Sequence, residues 1–190
     1  QIYGVTKTAA EDVCQLVAQD HSLPVVVLRT SRFFPESDDN SEITSKYVDE
    51  NIKANEYLYR RVDIEDVVSA HLLAEDRAPG LGFAKYIISA TSPFAREDAA
   101  ELMQDASAVV RRNFPDQAAE YARRGWKMFP RIDRVYENTR ARVELGWSPH
   151  YDFRCVLDRL KSDQDPRSPL AKAIGAKGYH EVSTGPNAVR

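Results

Sequence analysis

Between residues 8 and 20, Ala9, Val13, Leu16 and Val17 recur at three- and four-residue intervals, the period of one face of an α-helix. The helix they predict opens at Thr8 and closes at Asp20, and Ser22 and Pro24 end the connection behind it. Val25-Val26-Val27-Leu28 is an unbroken, mostly β-branched run, which suits a short strand covered on both faces. Helix, short loop and buried strand make half of a parallel α/β unit, whose right-handed crossover needs an earlier strand. Residues 35–42 are acidic and turn-like. Residues 43–55 predict a weakly amphipathic helix, and 57–62 alternate well enough for a strand. Asp63, Glu65 and Asp66 then set acids ahead of a helix over 67–74, where they match the positive end of the helix dipole.

Pro79, Gly80 and Gly82 are expected to break the chain, and 85–90 to form a second buried strand. Residues 96–113 predict a strong helix with Ala99, Leu102, Met103, Ala106 and Val110 on one side, ended by Pro115. A helical turn or two is expected over 117–123 and a strand over 131–136. Helices follow over 139–145, closed by Gly146, and over 153–161. From Ser162 onward Pro166, Pro169, Gly175, Gly178, Gly185 and Pro186 punctuate an irregular tail with one short helix near Ala171.

Composition narrows the class without naming it. The 190 residues are 43% hydrophobic and 29% charged, which fits one globular domain, alone or with a lobe. A net charge of -3 argues against nucleic acid as a main partner. No apolar run approaches a membrane span, and the opening residues do not read as a secretory signal. The expectation is therefore a cytoplasmic setting in which Cys14 and Cys155 stay reduced. Neither cysteine has a partner at ligand spacing, so no metal site is expected. His21, His71, His150 and His180 are scattered and read as surface or half-buried residues. Charge is uneven: residues 36–66 hold ten acids against four bases, and 111–142 hold nine bases against four acids. The second stretch is either a solvated helical face or a rim that draws an anionic ligand.

The candidate chemistry lies at the very start, in Tyr3-Gly4-Val5-Thr6-Lys7. Residues four apart on a helix share a face, so the Lys7 ammonium would stand beside the Tyr3 phenol and favour its ionised form. A phenolate so stabilised can take a proton from a substrate hydroxyl. Alone, Tyr-x-x-x-Lys is a short motif that arises often by chance.

Its context carries a resemblance. Tyr3-x-x-x-Lys7, a helix, Val27-Leu28-Arg29 and Phe33-Phe34-Pro35 resemble the second half of an extended short-chain dehydrogenase/reductase, the branch of NAD-dependent epimerases and dehydratases. The run from Val62 to His71 is similar to that branch's Val-x-Val-x-Asp-Val-x-x-Ala segment. Leu145-Gly146-Trp147-Ser148-Pro149, with Tyr151 and Phe153, is similar to its Leu-Gly-Trp-x-Pro signature. The four stand in order over residues 1–160. The resemblance implies an α/β fold: the C-terminal part of a Rossmann-like parallel sheet with a small α/β substrate-binding lobe. Residues 1–35 would belong to the dinucleotide-binding domain, 36–161 to the remaining Rossmann elements mixed with the lobe, and 162–190 to the tail.

It implies roles too. Tyr3 and Lys7 would be catalytic and touch the cofactor, NAD or NADP, with Thr30 and Ser31 lining its nicotinamide end. Arg32, Phe33 and Arg131 would meet the substrate, with Arg131 on a phosphate. Glu65, Asp66, Leu145, Trp147 and Pro149 would be structural. The helix over 8–20 would pair with a second copy in a homodimer. Two departures stand out. Arg32 occupies the place of a substrate-holding asparagine, which favours a carboxylate or phosphate. The glycine-rich turn that holds a pyrophosphate is not in this sequence, nor is the family's serine or threonine partner of the tyrosine. The expectation is a truncated chain that is inactive alone. The alternatives are a non-catalytic dimerisation or interaction fragment, and a basic pocket for small anions built on Arg32 and 111–142.

Overall fold

The computed structural model describes residues 2–38 and 40–176. Gly178, Gly185, Pro186 and His180 lie outside that range. The chain runs α1 (Ile2–His21), β1 (Val25–Thr30), α2 (Ser41–Thr44), α3 (Asp49–Glu56), α4 (Ile64–Leu81), β2 (Phe83–Ile88), a 3₁₀ turn (Arg96–Asp98), α5 (Ala99–Asn113), α6 (Gln117–Arg124), α7 (Thr139–Leu145), α8 (Phe153–Lys161) and α9 (Pro169–Ile174). Among the described residues the sheet has two strands, β1 and β2, parallel and in register from Val25↔Phe83 to Thr30↔Ile88. The fold is α/β, with far more helix than sheet.

Each face of that strand pair has its own cover. Val26 and Leu28 lie with Ala84, Tyr86 and Ile88 in one apolar cluster, sealed by Val67, Ala70 and Ala74 of α4, Leu145 of α7, and Trp147. Arg29 and Lys85 point the other way, where both meet Glu11 of α1. A second core fills the lobe around Ile52, Leu58, Leu102, Val109, Phe153 and Leu157. Leu145 and Trp147 are buried. The Trp147 indole N–H donates to the Asp66 carbonyl at 3.1 Å and to Ser69 Oγ at 3.0 Å, which satisfies its polar atom inside the core.

Several expectations need correction. Helix α1 begins at Ile2, not Thr8, so Tyr3 and Lys7 both lie on it. Helix α4 begins at Ile64 because Asp63 caps it, its carboxylate accepting from Glu65 N–H at 2.9 Å. It also runs through Pro79 to Leu81, with Gly82 at φ +66 ending it. Residues 57–62 form no strand. Tyr57 N–H donates to the Ala54 carbonyl, Leu58 to Asn55, and Tyr59 and Arg60 to Glu56, so the segment continues α3 as tight turns. Its polar and apolar positions do not face opposite ways: Tyr57, Leu58, Tyr59, Arg61 and Val62 are all buried.

Residues 131–136 also form no strand in the sheet. Residues 130–132 instead enter α5. The Pro130 carbonyl accepts the Ala106 N–H at 3.1 Å, and Ile132 N–H donates to the Leu102 carbonyl at 2.9 Å. These are the two groups that an unbroken helix would join to each other. Asp105 between them is non-helical, at φ -147 and ψ 81. A chain inserted into the helical ladder is a sufficient cause for the kink. The lobe expected to be α/β therefore carries helices and no paired strand of its own among the described residues.

Candidate functional site

The carboxyl ends of parallel strands are where open α/β sheets bind ligands. Here β1 and β2 part at that end, and the segment 60–62 enters between them. Arg32 N–H donates to the Arg60 carbonyl at 3.1 Å, Val62 N–H to Arg32 at 3.0 Å, and Ala90 N–H to Arg61 at 2.8 Å. Thr30 ends β1 opposite Ile88. Ser31 follows, its N–H bonded to the Ile88 carbonyl at 2.8 Å. Its side chain is buried, and its Oγ has no hydrogen-bond partner.

Helix α1 runs back along the sheet, so its start lies towards this same end. Glu11 ties it down. Its carboxylate accepts from Arg29 Nε at 2.8 Å and Nη2 at 2.6 Å, and pairs with Lys85 Nζ at 3.2 Å. The Arg29 hydrogen bonds hold the Glu11 carboxyl at about 2, far below the usual carboxylate range, burial opposing them and Lys85 assisting. Lys7 and Tyr3 stand about one and two turns beyond. Lys7 Nζ is 5.5 Å from the centroid of the Tyr3 ring, the pairing their spacing predicts. Tyr3 is 68% exposed. No hydrogen bond, ion pair or ring contact joins Tyr3 or Lys7 to Thr30, Ser31 or Arg32 among the described residues.

Arg32 is not a free guanidinium. Its Nη1 donates to Asp38 at 2.6 Å and to Glu56 at 2.8 Å. Glu56, 1% exposed, also takes Arg61 Nη1 at 2.9 Å and Arg60 Nη2 at 3.0 Å. Arg61 in turn donates to the Phe34 carbonyl at 2.6 Å. One buried carboxylate thus binds the exit of β1 to the turns before α4. A buried carboxylate needs such partners to remain ionised. With Asp38, two acids face three arginines, which leaves the cluster one charge positive. Sequence reading missed Glu56. Its signal was there in Arg60 and Arg61, four and five residues on, where a helical continuation brings both back over the carboxylate.

Phe33 packs against the sheet core and stacks on Phe34 at 4.3 Å between centroids. Arg131 is exposed and makes no ion pair among the described residues. It is carried on the stretch inserted into α5, and nothing bonds it to Arg32. The basic stretch 111–142 is not one free rim: Arg112, Arg123, Arg124, Arg134 and Arg140 are each held by acids.

Tyr3 and Lys7 are exposed polar groups near the start of α1, and Ser31 Oγ is buried beside the end of β1 with no hydrogen-bond partner among the described residues. None of the six described glycines presses on a neighbour, since an added Cβ at each meets nothing within 4 Å. No group of three or more candidate metal ligands exists among the described residues. No helix is long and apolar enough to cross a membrane.

Fold and site together define a class: an α/β protein with a parallel strand pair whose outer helix begins with an adjacent tyrosine and lysine. No protein-family model matches the sequence, and no curated protein matches it. A solved structure, that of RMD from Pseudomonas aeruginosa complexed with NADPH, is similar to 85% of this chain at 19% identity and a TM-score of 0.46. The chain spans 55% of that one. Likeness at this level does not carry function, which belongs to sites and not to folds.

Proposed function

We propose that this chain carries the proton-transfer end of an NAD(P)-dependent oxidoreductase of the extended short-chain dehydrogenase/reductase type. The reaction would be an epimerisation, dehydration or reduction on an anionic hydroxy or carbonyl substrate, with a sugar-nucleotide-like molecule as one candidate. The observation that supports it is the Tyr3/Lys7 pair, with the ammonium 5.5 Å from the phenol ring, on a helix whose start lies towards the strand ends. A bound nicotinamide supplies hydride chemistry at a substrate carbon. Tyr3 Oη takes the hydroxyl proton when a carbonyl forms and returns it in the reverse step. Lys7 is the cation that stands beside it. Arg131, exposed and unpaired, is the better placed of the two arginines to receive a phosphate. Arg32 is held by Asp38 and Glu56 and shapes the site from behind.

The complete activity needs a pyrophosphate cradle that the described residues do not supply. On this 190-residue chain, calorimetry is therefore expected to find no micromolar affinity for NAD or NADP. In a polypeptide that also carries a dinucleotide-binding segment, Tyr3→Phe should abolish hydride transfer while cofactor still binds. Full turnover in that variant would overturn the assignment.

A second reading is a non-catalytic module that docks on a second copy of itself. It is favoured by the outward face of α1, where Ile2, Val5, Val13 and Leu16 are exposed.

A further inference from the structure

A cavity of about 420 Å³ lies where α3, the start of α4 and α8 meet the stretch 163–171, and it touches Phe33 alone among the candidate site residues. Its volume suits a small organic ligand. Tyr57, Trp126 and Leu160 give it aromatic and aliphatic walls. Residues 163–171 close it from outside, held by Arg123 and Arg124 on Asp163 and by Ser168 N–H on the Asp63 carboxylate at 3.1 Å.

The charges lining the cavity are not equivalent. Every cation there already has a carboxylate: Lys53 has Asp49, Arg61 has Glu56, Arg124 has Glu120 and Asp163, and Arg167 has Asp165. Two of the lining acids have no cation within 4.0 Å, Asp63 and Glu50. Asp63 is spent on backbone N–H groups. Glu50 is exposed and makes no hydrogen bond among the described residues, and it lies in the field of Arg167. Beside it in the first turn of α3, Asp49 Oδ1 is buried without a partner. An anion entering this space would have to break an existing ion pair. A cation would find one free carboxylate and one unused buried acceptor.

We propose that this cavity is a ligand site for a small organic cation with an apolar body, an amine whose ammonium meets Asp49 and Glu50 while its body lies against Tyr57 and Trp126. The cavity borders the strand-end region through Phe33, Arg61 and Val62, but the proposal does not rest on the proposed redox chemistry.

The test uses three probes of one shape on the 190-residue chain: benzylammonium, benzyl alcohol and benzoate. The chain has two tryptophans, so two indole N–H resonances report binding. Benzylammonium should shift the Trp126 signal saturably, with a dissociation constant on the order of millimolar for so small a ligand, and leave buried Trp147 unmoved. Glu50→Gln with Asp49→Asn should weaken it roughly tenfold, as loss of charge-assisted contacts requires. Glu50→Gln alone, at a side chain that bonds to nothing, should weaken it in the same direction without disturbing the fold. The proposal is overturned if benzoate or benzyl alcohol shifts Trp126 as strongly, if the substitutions leave the affinity unchanged, or if Trp126 does not respond to benzylammonium.

Discussion

At the scale of single residues, carboxylates do most of the joining, and each does it differently. Asp66 is buried, and burial raises its carboxyl, with the N–H groups of His150 and Tyr151 opposing at 2.8 and 2.9 Å. It braces α4 against the segment after Trp147 through neutral backbone donors. Glu11 works through charge. Its folded-state pKa is depressed, so its contribution is present above the ordinary carboxyl value of 4.5 and is lost as the pH falls towards about 2. Arg29 is 53% exposed, and solvent screens the pair, so its worth is about 1 kcal/mol and not the full shift. Denaturant unfolding of Glu11→Gln should therefore fall about 1 kcal/mol below the parent at neutral pH. The gap should close as the pH drops through 4.5 towards 2 and shrink in high salt. A gap unchanged in acid would show that the ion pair is not what holds α1 to the sheet.

At the scale of elements, the break in α5 shows how one segment positions another. Residues 130–132 take the bonds that Leu102 and Ala106 would otherwise share, and Asp105 restarts the helix, its Oδ1 accepting from Ala108 N–H at 3.0 Å. Arg131 owes its outward position to this insertion. Asp105→Ala removes the internal cap and should cost about 1 kcal/mol, seen as a lower urea midpoint with faster amide exchange at Ala108. Unchanged exchange there would mean that the inserted chain alone fixes the kink. This is also where the sequence stops being legible. Helices such as α5, α7 and α8 follow from the spacing of Leu102, Ala106 and Val110, or of Phe153, Val156 and Leu157, because one buried stripe suffices to define them. The stretch 131–136 has strand-like residues but finds its hydrogen bonds in an opened helix, a tertiary solution that local pattern does not encode. Segment 57–62 fails for a related reason: with both sides covered, alternation loses its meaning. Tyr3 and Lys7 were legible as neighbours by spacing. Glu56 becomes legible through Arg60 and Arg61 only when 57–60 is read as a helical continuation and not as a strand.

At the scale of the whole molecule, α1 turns one face to the body and an apolar one away from it. Ala18 is buried against the body, and Glu11, Cys14 and Gln15 lie near it on the same face. Ile2, Val5, Ala9, Val13 and Leu16 form a stripe on the opposite face by helical spacing, and all five are exposed. A single exposed leucine needs no explanation, but a continuous stripe on one helix marks an interface. The stripe carries no charge from Ile2 to Leu16; Asp12 lies to its side, and Asp20 continues its line one turn beyond Leu16. A second copy is the simplest complement, because a two-fold axis across the helix sets each stripe against its twin. Sedimentation of the chain should then show a dimer that dissociates on dilution. Leu16→Glu would bury one carboxylate per copy beside its symmetry mate, where like charges oppose each other and desolvation adds to the cost, so dimerisation should weaken by at least about tenfold. Because Leu16 points away from the body, the variant's thermal unfolding at low concentration should match the parent's. A monomer in the parent, or a dimer untouched by Leu16→Glu, would assign the stripe to a covering other than a second copy.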